Sequence, residues 1–221
     1  MSTILTVLEI IGVISFSITG ALMAIDKETD LVGVIFLAVI TSFGGGMMRD
    51  LFIGNTPPLF FSSYLLVAVC VGTAMLVFVL ASIFKRKYVE NENTINVINN
   101  YVDAVGLAVF VISGVKICIS CGVKNPFLIV IMGMLSGTGG SMTRDVIMRE
   151  IPALFKKRIY LVAAALGACV YYAMYKAGVW DVVAVSVSTV AIVLIRVLAT
   201  VFKWNLPRAI DFEKLRSEDH K

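Results

Sequence analysis

Seven stretches of this chain are apolar for long enough to cross a lipid bilayer: Ile4 to Ala24, Leu31 to Ile53, Leu59 to Phe84, Tyr101 to Cys121, Pro126 to Met148, Ile159 to Tyr175 and Val182 to Phe202. A crossing helix needs about 20 apolar residues, and lipid tolerates no unsatisfied backbone, so an all-α integral membrane protein with seven transmembrane helices is expected. Composition agrees: 59% of the 221 residues are hydrophobic, 15% are charged and the mean hydropathy is +0.93. Soluble domains have about 25% charged residues. A single transmembrane domain is expected over residues 1–204, followed by a polar tail at 205–221 that carries His220, the only histidine.

Turn residues separate the runs: Asp26-Lys27-Glu28-Thr29-Asp30, Gly54-Asn55-Thr56-Pro57-Pro58, Asn125-Pro126, and the polar linker from Lys85 to Asn100. Seven crossings put the two termini on opposite sides. Lys27, Lys85, Arg86, Lys87, Arg149, Lys156, Lys157, Arg158, Lys203, Arg208, Lys214, Arg216 and Lys221 then share one side, and only Lys124 and Lys176 lie on the other. The positive-inside rule makes the rich side cytoplasmic, with the N-terminus outside and the C-terminus inside. The formal charge of +4 is thus topological and predicts no nucleic-acid partner. Without a eukaryotic retrieval signal, the expected location is a prokaryotic plasma (inner) membrane.

An internal repeat sharpens the fold. Phe43-Gly44-Gly45-Gly46-Met47-Met48-Arg49-Asp50 returns as Thr138-Gly139-Gly140-Ser141-Met142-Thr143-Arg144-Asp145, and Pro57 and Phe60 return as Pro152 and Phe155, all at an offset of 95. At an offset of 94, Glu9, Gly12, Phe16 and Gly20 fall on Asp103, Gly106, Phe110 and Gly114. The unit is three helices, about residues 4–84 and 97–177, with a seventh helix at about 182–203 outside the repeat. Three is odd, so the second copy enters from the opposite side, which gives an inverted 3+3 repeat of the kind found in transporters and some channels.

Gly44-Gly45-Gly46 and Gly139-Gly140-Ser141 interrupt apolar runs, where each glycine costs about 1 kcal/mol of helix propensity. Being consecutive, they cannot all face one neighbour. A kinked, locally unwound turn lining a wet path is the favoured reading, over close packing of helices through small residues. Arg49-Asp50 and Arg144-Asp145 follow, and charges inside a membrane must face protein or water. Neighbouring helical residues point about 100° apart, so each charge is expected to reach another helix instead of its neighbour. Ser42, Thr41, Ser136, Thr138, Ser141 and Thr143 offer hydroxyl oxygens to a cation, their ordinary use being bonds to their own helix carbonyls. Glu9 and Asp103 fit a helix-terminus role as well as a pathway role. Lys116, mid-run, needs a carbonyl or carboxylate partner, and Arg196 sits in the last span. No histidine base, nucleophile motif, metal set or Walker string occurs in the spans, so neither an enzyme nor an ATP-driven pump is expected, and no cofactor. Cys118-x-x-Cys121 is read as a packed structural pair.

On the doubled glycine-Arg-Asp strings and Pro57-Pro58, the sequence resembles the prokaryotic branch of the trimeric intracellular cation (TRIC) channel family, across roughly Ile4 to Phe202. The resemblance implies a homotrimer in membrane lipid, with one hourglass pore per protomer around kinked second and fifth helices. Such a pore passes potassium or sodium ions, and no resident metal is implied. The kinks map to Gly44–Gly46 and Gly139–Ser141, with Ser42, Arg49, Asp50, Lys116, Thr138, Thr143, Arg144 and Asp145 as lining or gating residues. The same bacterial family is also described as containing glycine transporters. A secondary carrier of glycine or a similarly small amino acid is therefore the alternative.

Overall fold

A computed structural model describes residues 3–156, 159–202 and 204. The expected tail at 205–221 with His220, and Lys157, Arg158 and Lys203 of the basic side, lie outside the described residues. The described chain is helical: α1 (Thr3–Asp26), α2 (Leu31–Phe52), a 3-10 turn (Leu59–Ser62), α3 (Tyr64–Ile83), α4 (Lys85–Glu90), α5 (Glu92–Ser120), α6 (Pro126–Ile147), α7 (Ala153–Lys156), α8 (Tyr160–Lys176) and α9 (Asp181–Val201). Six of them, α1, α2, α3, α5, α6 and α9, are long and apolar enough to cross a membrane. The sixth apolar run forms α8, which is shorter at 17 residues.

Caps echo the sequence repeat. The Asp30 side chain accepts from Gly33 N at 2.8 Å to start α2, and its equivalent Asn125 accepts from Phe127 N at 3.0 Å to start α6. At the far ends, Gly54 (φ +73°) and Arg149 (φ 56°) hold matched left-handed positions. Asn55 N and Glu150 N then bond back to the carbonyls of Asp50 and Asp145 at 2.8 and 2.9 Å. Arg149 takes up a conformation that glycine supplies without strain.

The linker from Lys85 to Asn100 departs from expectation: it is helix, broken only at Asn91. It holds no proline or glycine, and Arg86 pairs with Glu90 one turn on at 3.0 Å. Asp103 consequently lies about three turns inside α5, so a helix-terminus role for it is excluded. Glu9 likewise sits more than a turn into α1.

Packing forms two apolar clusters joined through α5. One gathers α1, α2 and α3 around Phe16, Leu37 and Cys70, and the other gathers α5, α6, α8 and α9 around Leu107, Ile112, Tyr160 and Ile192. Phe110 of α5 reaches the first cluster and stacks on Phe16 with ring centroids 5.1 Å apart. Cys118 is buried and Cys121 exposed, and both are free thiols.

The glycines correct the unwound-turn expectation. Both α2 and α6 run as unbroken α-helix through Gly44–Gly46 and Gly139–Ser141. The two helices cross there, and the glycines let their backbones touch. A Cβ on Gly139 would stand 2.9 Å from Gly45 Cα, and one on Gly44 3.3 Å from Gly140 Cα. A Cβ on Gly45 would collide with the Ser136 carbonyl, and one on Gly140 with the Thr41 carbonyl. Consecutive glycines do face different neighbours: Gly46 turns towards Arg49 and the small cavity beside it, while Ser141 meets the Tyr160 hydroxyl at 3.1 Å. Close backbone contact offsets the propensity cost without any loss of helical bonding.

Candidate functional site

The C-terminal half of α2 carries two buried charges next to the crossing, Arg49 and Asp50, which are 3% and 1% exposed. Against expectation they pair with each other: Arg49 Nε and Nη2 donate to Asp50 Oδ1 at 2.9 and 2.7 Å. The angle between Cβ directions misleads here, because the long arginine stem curls its fork back onto the shorter neighbour. Asp50 Oδ2 accepts from Leu59 N at 2.9 Å, pinning the 3-10 turn under the end of α2. Arg49 Nη1 also reaches Ser136 Oγ of α6 at 3.4 Å.

The second half repeats this arrangement. Arg144 Nε donates to Asp145 Oδ1 at 2.9 Å, and Asp145 Oδ2 accepts from Ala153 N at 2.7 Å. Each Arg-Asp pair is thus internally neutral and ties its helix end to the following turn.

Beside Arg49 and Asp50 lies a cavity of about 70 Å³, enough for a few water molecules. Its polar lining is Glu9 of α1, Ser42, Arg49 and Asp50 of α2, Ser63 after the 3-10 turn and Ser113 of α5. Val13, Phe43, Phe60 and Phe110 supply apolar wall. Ser113 Oγ donates to Glu9 Oε1 at 3.3 Å, and Ser42 Oγ to the Val13 carbonyl at 3.3 Å.

The matching region of the second half is built differently, around an arginine of α9. Arg196 of α9 donates to Asp103 Oδ2 at 3.3 Å, and its guanidinium lies 4.3 Å from the centre of the Tyr160 ring. Tyr160 in turn meets Ser141.

Of the residues singled out from sequence, Glu9, Ser42, Gly46, Arg49 and Asp50 meet at the cavity. Gly44, Gly45, Gly139 and Gly140 form the crossing, and Ser141, Arg144 and Asp145 belong to the second half. Thr138 and Thr143 donate to the carbonyls of Met134 and Gly139, the ordinary helix use of such hydroxyls. Lys116 lies elsewhere, paired to Asp181 Oδ2 at 2.5 Å in a cleft between α5, α8 and α9, where Tyr171 also donates to Asp181. Sequence reasoning did not name Ser63 or Ser113. Neither stands in a motif, and only the packing of α1, α2 and α5 brings them to one place. A wider cleft of about 750 Å³ opens near the other end of α1, lined by Asp26, Glu28, Tyr88 and Glu92. There Tyr88 donates to Asp26 at 2.7 Å, and burial together with that carboxylate raises the tyrosine pKa.

A family model described as Glycine transporter matches the chain in two stretches, residues 6–82 and 100–176. A UPF0126 membrane protein of Deinococcus radiodurans is 40% identical over 165 residues, covering 73% of this chain and 72% of that protein. The UPF0126 inner membrane protein YadS of Escherichia coli K12 is 35% identical over 170 residues, covering 76% and 77%. Among solved structures, a TRIC trimeric intracellular cation channel orthologue from Rhodobacter sphaeroides superposes with a TM-score of 0.82 at 31% identity, covering 92% of this chain and all of that one. A prokaryotic TRIC channel crystallised in 0.5 M KCl gives 0.83 at 34% identity, covering 93% and 100%.

Proposed function

We propose, from the premise that the chain belongs to the membrane-protein family described as Glycine transporter and resembles TRIC channels in fold, that it is a passive, potassium-permeable cation channel. The observation that carries this reading is the small, largely apolar-walled cavity within one subunit among α1, α2, the 3-10 turn, α3 and α5, onto which Glu9, Ser42, Arg49, Asp50 and Ser113 face together. Oxygen ligands of this kind replace part of a cation's water shell. Potassium or sodium ions are the passing species, and no cofactor takes part.

The architecture proposed is seven spans in an inverted 3+3 repeat, about residues 4–84 and 97–177, with α9 as the unpaired seventh and one domain over residues 1–204. Three observations support it. The family model fits two stretches of equal length. Lys27 meets Glu150 at 2.6 Å and Tyr88 meets Asp26, so the ends of α1 and α6 and the start of α4 share one side. Lys116 meets Asp181, which puts the end of α5 with the start of α9. A homotrimer in membrane lipid, with one path per protomer, follows from the likeness to the Rhodobacter structure. The basic residues on one side support an N-terminus outside, and a prokaryotic plasma membrane is the proposed location.

The family description itself favours a second reading, a secondary carrier of glycine. One purified preparation separates the two. Planar-bilayer recording in a KCl gradient is expected to give ohmic steps that reverse near the potassium equilibrium potential, without saturable glycine uptake into liposomes. Uptake that saturates, with no current, would establish the carrier instead.

A further inference from the structure

The charges inside the helices are almost all matched. Arg49 pairs with Asp50, Arg144 with Asp145, Arg196 with Asp103 and Lys116 with Asp181. Glu9 is the exception among the described residues: it is 7% exposed, forms no ion pair with a described lysine or arginine, and accepts a hydrogen bond from the Ser113 hydroxyl. Its carboxylate borders the cavity.

Repeat arithmetic explains the exception. Glu9 and Asp103 occupy equivalent positions in the two copies, 94 residues apart. Asp103 is neutralised by Arg196, which stands on α9, and α9 has no counterpart in the first half. In the first half Glu9 borders a cavity and has no such arginine, whereas in the second half Arg196 and the Tyr160 ring stand beside Asp103. A buried carboxylate without a countercharge is costly, and a cation in the cavity, like a proton, relieves that cost.

We infer that Glu9 is the cation-coordinating, selectivity-determining residue of the path, and that a monovalent cation occupies at Glu9 the role Arg196 plays at Asp103. This rests on the channel reading above. Asp50 does not serve instead, because one of its oxygens is held by Arg49 and the other by Leu59 N. The groups facing Glu9 are Ser113 and Phe110 from α5, Arg49, Asp50 and Ser42 from α2, and Ser63 after the 3-10 turn. The Arg-Asp pair is neutral as a unit, so in its ionised form Glu9 is the source of net negative charge at the cavity.

Glu9→Gln keeps the shape and the Ser113 hydrogen bond and removes the charge. In bilayers with a KCl gradient it is expected to lower potassium conductance about tenfold and to move the reversal potential towards zero as chloride discrimination is lost. Glu9→Asp retains the charge one methylene further back, and is expected to keep potassium over chloride while conductance falls and the potassium-to-sodium ratio changes. Wild-type conductance and reversal potential in either variant would overturn the assignment and leave the channel reading standing. A wild-type protein that carries no current would overturn both.

Discussion

Gly140→Ala and Gly45→Ala are each expected to destabilise the protein severely, while Gly46→Ala and Gly72→Ala leave it intact. The new methyl group at Gly140 meets the Thr41 carbonyl, and that at Gly45 the Ser136 carbonyl. Both obstacles are helix backbone, which cannot rotate aside as a side chain can, so α2 and α6 must separate along their shared crossing. Overpacking typically costs about 1–3 kcal/mol, and rigid obstacles put these two at the upper end or beyond. For a chain of this size that corresponds to a fall in melting temperature on the order of 10 °C. At Gly46 an added Cβ has Arg49 Nη2 at 3.8 Å as its near neighbour, and at Gly72 it meets nothing within 4 Å. There alanine's better helix propensity makes the change neutral or slightly stabilising. Thermal unfolding in detergent reads all four. An unwound glycine turn predicts a different pattern, in which Gly46→Ala harms as much as its neighbours.

Asp50→Asn should be about as damaging, by another route. It leaves the Arg49 guanidinium, 3% exposed, without its counterion, and removing one partner of a buried pair costs about 3–5 kcal/mol. It also perturbs the acceptor that holds Leu59 N. Asp145→Asn repeats the experiment in the second half, where Ala153 N is the dependent group. The double change Arg49→Met with Asp50→Asn removes the stranded charge, so it is expected to be milder than Asp50→Asn alone. A double variant that simply sums its two single effects would show that the residues do not act as a pair.

Much of the architecture is legible in the linear chain because lipid leaves little choice. Runs of about 20 apolar residues become helices wherever they occur, and Asp30 and Asn125 mark helix starts by the same capping chemistry in both copies. The correspondence of Glu9 with Asp103 was also visible, and it became the central contrast of the site. What the chain could not disclose is which surface each residue meets. Three consecutive glycines mean a broken helix or a close crossing depending on whether another backbone arrives at that spot, and here α6 arrives. The Arg49–Asp50 pair turns on how far an arginine stem bends, which helical direction alone does not capture. Lys116 finds Asp181 65 positions away, across a contact between α5 and α9 that no spacing encodes. The polar linker after α3 lacks a hydrophobic period, yet it is helical because nothing in it breaks a helix.

In the proposed channel, ions travel through the small cavity beside α1, α2 and α5. Ser63 lines that cavity, and a cysteine there is nearly isosteric. With the exposed Cys121 and Cys169 replaced by serine, Ser63→Cys should conduct potassium normally. A cationic thiol reagent should then suppress the current in proportion to the fraction labelled. Complete labelling with an unchanged potassium current would place the path elsewhere and contradict the account.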